Sequence, residues 1–265
     1  MPFADLADIR LHYEVEGDGP PLLLIAGMMS DGASWGPIVP ALAARFTVIR
    51  PDNRTTGQTV PPDAAAGLGV WAADAVGLLD HLGLDRAHVA GHSLGGMIAL
   101  HLAATAPGRV DRLAMLASAP VFLPRNLALF RHLLALRAPG LPADLWLRGL
   151  FPWLFHPHAY DDPARIDTML AQSLAYPHAQ GAAAMARQLA ALDAAAGALA
   201  LPASLPPTLA LLAADDALYP VVLARAALKQ LGPLHIAEIA AAGHSVHWDA
   251  PQVVSTALIA HFEKG

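Results

Sequence analysis

Cysteine is missing from all 265 residues, which removes disulfides, thiolate metal ligands and a thiol nucleophile together. Lysine is nearly missing as well, with only Lys229 and Lys264 present. The 16 Lys and Arg residues are scattered and outnumbered by 22 Asp and Glu, for a net charge of −6. No basic stripe exists to meet nucleic acid or an anionic membrane surface. The uncharged run Ala194–Ala214 approaches membrane-spanning length, but Pro202, Pro206 and Pro207 interrupt it. It reads as a linker leading into a strand rather than a helix in lipid. MPFADLADIRLHYEVEG places acids where a signal peptide needs a basic start and an apolar run. Neither a dinucleotide-type Gly-x-Gly-x-x-Gly nor a P-loop is present. His156-Pro157-His158 and His244-x-x-His247 lack the helical His-Glu setting and third ligand of a metal centre. The expectation is a cytoplasmic monomer or homodimer that acts on a small molecule without metal or cofactor.

What the chain has is apolar material: 55% of its residues are hydrophobic, enough for a sizeable core in one large domain. Short apolar runs alternate with helical patterns, as in an α/β protein with a largely parallel sheet. Ile9–Val15 alternates like an antiparallel strand with one wet face, and His12 is read as facing water. Leu22–Ala26, Phe46–Arg50, Ala87–Ala90, Arg112–Ala117, Thr208–Ala213 and Ile236–Ile239 read as strands. Trp71–Leu82, Met97–Ala106 and Val253–Phe262 read as helices, the second stopped by Pro107-Gly108.

Between about Pro120 and Pro206 the texture turns helical without intervening strands. The candidate helices are Leu127–Leu136, Leu145–Phe155, Ala164–Ala175 and Gly181–Ala196, and Asp162-Pro163 opens the third with an N-cap acid and an N1 proline. Because the flanking strands need one shared sheet, this is an insertion: residues 1–119 and 207–265 form the core and 120–206 a helical cap.

Residues 88–99 read HVAGHSLGGMIA, and Gly91-His92-Ser93-Leu94-Gly95 stands between a strand and a helix. Small neighbours allow the sharp turn that lifts a serine hydroxyl above the strand ends. A serine needs a base to take its proton. His81, His88 and His235 sit near element ends, His132 and His178 read as helical, and His92 would turn its ring away from the serine. His244 differs: it follows Gly243 in AAAGHSVHWDAPQ, a loop after a strand at the carboxyl edge, where ligands gather in open α/β sheets. His247 is its rival, but the preceding glycine favours His244. A carboxylate should orient that imidazole. Asp215 and Asp216 both follow the strand TLALLA, so the spacing alone leaves two candidates.

These motifs are similar to those of the α/β-hydrolase superfamily, in the order GHSLGG, LLAADDALYP and AAGHSVHWDAP, with LLLIAGMMSDGASW and PDNRTTGQT before them. The resemblance covers essentially the whole chain. It implies an α/β-hydrolase fold, a mostly parallel sheet flanked by helices with an inserted cap, and a serine mechanism. It selects Asp216, four residues before the proline, over Asp215, and His244, directly after glycine, over His247. Acyl transfer also needs two N–H donors for the developing oxyanion. Leu94, after the serine, supplies one, and the resemblance implies Met28 for the other. Here the chain departs from the family, with Ala26-Gly27 where His-Gly is common. The resemblance gives Asp52, Asn53 and Arg54 a structural role.

Half of the aromatics fall in the insertion: Phe122, Phe130, Trp146, Phe151, Trp153, Phe155, Tyr160 and Tyr176. Most pack the helices onto the core. Met29, Trp146, Phe151, Trp153 and Phe155 are also candidates to line an apolar pocket over Ser93. Arg125, Arg131 and Arg148 are candidates to meet a substrate carboxylate. The expected activity is hydrolysis of small or medium, largely apolar esters or lactones through an acyl-enzyme. The same triad also serves C–C bond hydrolysis or acyl and peroxy-acid transfer, and a non-catalytic ligand-binding relative is a further alternative.

Overall fold

The computed structural model describes residues 2–195 and 199–264. Phe3–Asp5 (β1) and Arg10–Glu16 (β2) make an antiparallel edge. Pro21–Ile25 (β3), Thr47–Pro51 (β4), Ala87–His92 (β5), Val110–Leu116 (β6), Thr208–Ala213 (β7) and His235–Ile239 (β8) form a parallel body. The strand order is β1-β2-β4-β3-β5-β6-β7-β8. Each expected strand is present, with ends shifted by a residue or two. The three-residue β1 was too short to show a periodic pattern.

Burial on both faces explains why β3 and β7 read as unbroken apolar runs. Leu22 and Leu24 pack on one side with Val39–Ala43 (α1) and Pro251–Phe262 (α10). Leu23 and Ile25 pack on the other with Leu68–His81 (α2) and Leu94–Thr105 (α3). Strand β7 repeats the alternation: Leu209 and Leu211 join the first layer, Ala210 and Leu212 the second. The expectation of a wet face on β2 is corrected: Leu11, His12 and Tyr13 are all buried. His12 Nδ1 lies 2.8 Å from Asp52 Oδ2, beneath the loop that follows β4. A polar residue there satisfies a buried carboxylate rather than facing water.

Between β6 and β7 stand Pro124–Ala135 (α4), Leu145–Leu154 (α5), Pro163–Ala175 (α6) and Ala182–Ala195 (α7), with no strand among the described residues. Asp162 caps α6 by accepting from the Ala164 N–H at 3.0 Å, with Pro163 in the first turn. Leu147, Phe151, Ala159, Ile166 and Leu170 make a small core of their own. Phe130, Leu133, Met185 and Leu189 join the main core. The expected helix Gly181–Ala196 ends in Ala196, which lies outside the described residues, as do two further positions, 197 and 198, of the proline-interrupted run 194–214. His178, expected on a helix, falls in the loop after α6. Val221–Leu228 (α8) and Val246–Asp249 (α9) were not expected. Among the described residues no helix is long and apolar enough to cross a membrane.

The chain runs from β3 outward to β4 and then returns to β5 on the other side of β3. That reversal opens a crevice beyond the carboxyl ends of β3 and β5, where residues 26–29 and Ser93 lie.

Candidate active site

Ser93 is the pivot between β5 and α3, at φ 53° and ψ −118°. A left-handed φ is strained for a residue with a Cβ. Two glycines make it feasible. A Cβ on Gly91 would lie 2.1 Å from the Gly95 carbonyl oxygen, and one on Gly95 would lie 2.0 Å from the Ile25 carbonyl oxygen. The serine backbone is tied on both sides: its N–H donates to Leu116 O at 2.9 Å, and Ser118 Oγ donates to its carbonyl at 2.7 Å.

His244 Nε2 lies 2.8 Å from Ser93 Oγ, and His244 Nδ1 lies 2.9 Å from Asp216 Oδ2. An ionised carboxylate only accepts, so Nδ1 carries the proton and Nε2 is left to accept from the serine hydroxyl. The other Asp216 oxygen accepts from the Leu218 and Tyr219 N–H groups at 2.8 and 2.7 Å. Both His244 and Asp216 are buried. The Tyr219 ring stacks on the imidazole at 5.8 Å, 13° from parallel. Asp215 turns away to His156 Nε2 at 3.2 Å. The structure thus brings together Ser93, His244 and Asp216, and sets Asp215 and His247 apart.

His92 does more than pack. Its Nε2–H donates to the His244 carbonyl at 2.8 Å, which fixes the backbone of the histidine loop from the strand carrying Ser93. The His247 ring lies 4.6 Å from that of His92 and 5.0 Å from that of Trp35. Burial pushes His247 down to about 3 and holds His92 well below its ordinary value. Burial also lowers His261 to about 4, although its Nε2–H donates to Leu113 O at 3.0 Å.

In the unfolded chain these histidines protonate near 6.5. Below that pH the unfolded state binds more protons than the folded one, so acid favours unfolding. The stability is fully present above 6.5 and is lost progressively toward the folded values. Each such histidine contributes a slope of about 1.4 kcal/mol per pH unit in that window. Urea denaturation should therefore show a clearly lower midpoint at about pH 5 than at about pH 7.5. A pH-independent midpoint would contradict this burial.

Neither the Met28 nor the Leu94 N–H has a protein acceptor among the described residues, and both residues border Ser93. The departure at Ala26 is met by other ties. Asn53 Nδ2 donates to Ala26 O at 3.0 Å, and the Met29 N–H donates to Gln188 Oε1 at 2.8 Å. The Gly32 N–H donates to Asp52 Oδ1 at 3.0 Å. Arg54 is held by Asp74 and Asp8 and serves the scaffold. Gln188 was missed by sequence reasoning. Its signal was a polar residue at helical spacing from Met185 and Leu192, both buried.

A cavity of about 350 Å³ opens over Ser93. Met29, Trp146, Phe151 and Phe155 line it, as expected of them, beside Met28 and His244. Trp153 does not, which corrects that expectation. On α5 the stripe Leu147, Leu150, Phe151 and Leu154 faces the cavity, and Trp153 falls outside it beneath the Arg125 guanidinium, 5.5 Å from its ring centre. Arg125 donates to Ala217 O, Arg131 pairs with Asp193, and Arg148 pairs with Asp144. None of these three reaches the cavity. Arg137 does, stacked 4.4 Å over the Trp146 ring. At the same wall, Tyr176 donates to Asp31 Oδ2 at 2.8 Å. Among the described residues no group of His, Asp and Glu side chains is arranged to hold a metal ion.

The family model described as alpha/beta hydrolase fold matches residues 20–251. The chain belongs to the α/β hydrolase family. Over 263 residues it is 32% identical to a protein provisionally named carbamate hydrolase RutD from Azorhizobium caulinodans, covering 98% of this chain and 97% of the relative. Among solved structures it is similar to BpoC of Mycobacterium tuberculosis H37Rv, provisionally named a non-heme bromoperoxidase. That match has 27% identity and a TM-score of 0.83 over 97% of this chain and 96% of the other. A thermophilic esterase from Thermogutta terrifontis, solved with malate bound, matches at 26% identity and a TM-score of 0.79, over 97% and 94% of the two chains. This α/β hydrolase therefore shares its architecture with hydrolases along nearly its full length.

Proposed function

We propose that this hydrolase cleaves small or medium, largely apolar carboxylic esters or lactones through an acyl-enzyme. The observation that carries the reading is the hydrogen-bonded line Ser93–His244–Asp216 at the floor of the apolar cavity. As Ser93 Oγ attacks the substrate carbonyl carbon, its proton passes to His244 Nε2. The carbonyl oxygen gains the charge and accepts from the Met28 and Leu94 N–H groups. Collapse expels the alcohol, which takes the proton from His244. Water then gives a proton to His244 and attacks the acyl carbon, Ser93 recovers its proton, and the acid leaves. Asp216 holds the Nδ1–H tautomer and offsets the imidazolium charge. Residues 120–206 act as a cap over a core of 1–119 and 207–265. The lack of cysteine accords with work in the reducing cytoplasm.

A second reading, cleavage of carbamates, is favoured by the full-length similarity to the protein named as a carbamate hydrolase. It uses the same attack on a carbonyl. A fluorophosphonate should label the native enzyme at Ser93, and short phenyl esters and lactones should be turned over. Turnover of carbamates with negligible ester cleavage would select the second reading. Rapid cleavage of vinylogous diketones with negligible ester cleavage would move the activity to C–C hydrolysis. No adduct and no turnover would overturn the serine mechanism.

A further inference from the structure

The large cavity has a charged wall that the proposed mechanism leaves unused. Among the described residues that line it, Arg137 is the one arginine or lysine and Asp31 the one carboxylate. Asp31 is already engaged by the protein: Oδ1 accepts from the Ala33 N–H at 3.0 Å and Oδ2 from the Tyr176 hydroxyl at 2.8 Å. Arg137 has no such partner. One Nη2–H donates to the Gln180 carbonyl at 2.5 Å, Nη1 lies 3.5 Å from Met185 Sδ, and the guanidinium carbon stands 4.4 Å from the centre of the Trp146 ring. These neighbours are uncharged, and no carboxylate among the described residues pairs with Arg137. Burial holds it below the ordinary arginine value, with no anion to offset the effect. A guanidinium stays a cation at neutral pH, and a half-buried cation without a counter-ion is costly.

The head of this side chain, and not only its stem, stands at the cavity wall. Trp146 and Gln180, which hold the guanidinium on its face and at its edge, both line the cavity. The Nε–H has no acceptor among the described residues and, unlike Nε of Arg50 and Arg109, is not sealed from a water-sized atom. One N–H on each terminal nitrogen is likewise left over. A planar fork of that kind matches the two oxygens of a carboxylate. The groups that hold Arg137 are not those around Ser93, where Met28, Leu94 and His244 stand. Leu147, Leu150, Phe151 and Leu154 supply apolar wall in the same cavity.

We infer that the substrate of this hydrolase is an anionic ester or lactone: an apolar body carrying a carboxylate, set apart from the scissile carbonyl and received by Arg137. The inference rests on the serine mechanism proposed above and assigns the polar end of its substrate.

The test pairs four acids with their methyl esters at neutral pH. Para-acetoxybenzoate and para-acetoxycinnamate carry the carboxylate on the leaving group, and the monophenyl esters of adipic and suberic acids carry it on the acyl group. Release of the phenol is followed, and each rate is divided by that of the reaction with hydroxide. In at least one pair the acid should exceed its methyl ester in kcat/KM by about tenfold or more, chiefly through a lower KM. Arg137→Met should bring the ratio for that pair to one or below. Should that variant not fold, Arg137→Gln, which can still donate to the Gln180 carbonyl, takes its place. The ratio within a pair cancels any disturbance that both substrates share. If no acid is preferred by the native enzyme, if none of the acids is cleaved although a fluorophosphonate labels Ser93, or if the preference survives in the variant, the inference is overturned while the serine mechanism stands. Failure of acids and methyl esters alike, with no adduct at Ser93, would instead remove the mechanism beneath it.

Discussion

Ser93→Ala is expected to lower kcat/KM for phenyl esters by roughly 10⁴-fold or more and to abolish fluorophosphonate labelling, with no loss of thermal stability. In the proposed mechanism Ser93 Oγ is one atom of a unit whose base and acid have no other route to the carbonyl. Adding His244→Ala to that variant should cost almost nothing further, because groups that act as a unit are not additive. The stability side is equally specific. Ser93 holds φ at 53°, a conformation that Ala shares at similar cost and Gly adopts freely. Ser93→Gly should therefore be inactive yet melt higher than the native enzyme, with a gain of about 1 kcal/mol. Calorimetry alongside an ester assay checks both halves. An inactive variant that also melted far lower would indicate that Ser93 holds the turn together rather than performing chemistry.

Gly95→Ala should be strongly damaging for a one-methyl change, destabilising by about 4 kcal/mol or more. Its Cβ would lie 2.0 Å from the carbonyl oxygen of Ile25 and 2.7 Å from that of Ala26. Both obstacles are backbone, so no side-chain rotation relieves the clash. The first turn of α3 must lift away from the end of β3, the segment that leads into Met28. Activity should fall with stability, since Met28 and Leu94, the proposed oxyanion donors, sit on the two sides of that contact. Gly108→Ala is the control, as nothing lies within 4 Å of its added methyl, and it should melt within a degree or two of the native protein. Paired melting curves decide the matter, and similar melting points for the two variants would refute the close packing described.

The parts of this site that depend on local geometry were legible in the sequence. The glycines around Ser93, the glycine before His244 and the turn after TLALLA each impose a shape within a few residues. Strands β3 and β7 were the most legible, because burial on both faces leaves them almost wholly apolar. What escaped depends on partners far along the chain. His12 was misread because Asp52 lies 40 residues away, and no local pattern marks a buried carboxylate that needs a donor. Gln188 reaches Met29 across 159 residues. Trp153 was misplaced because composition registers an aromatic-rich helix without saying which stripe faces the cavity. Arg137 was passed over for three other arginines, all of which the fold engages elsewhere.

The helices between β6 and β7 do not merely rest on the sheet. Arg125 and Asn126 hold the carbonyls of Ala217 and Leu218, directly after Asp216. Gln188 holds Met29, next to the proposed oxyanion donor Met28, and Gln180 holds Thr55 O at 2.9 Å. Swapping this segment for that of a relative, the usual route to new selectivity in a modular enzyme, would cut four moorings of the chemical machinery at once. Chimeras built at residues 120 and 206 need those anchor side chains transplanted back, or they will inherit a new pocket above a slackened Ser93–His244–Asp216 line.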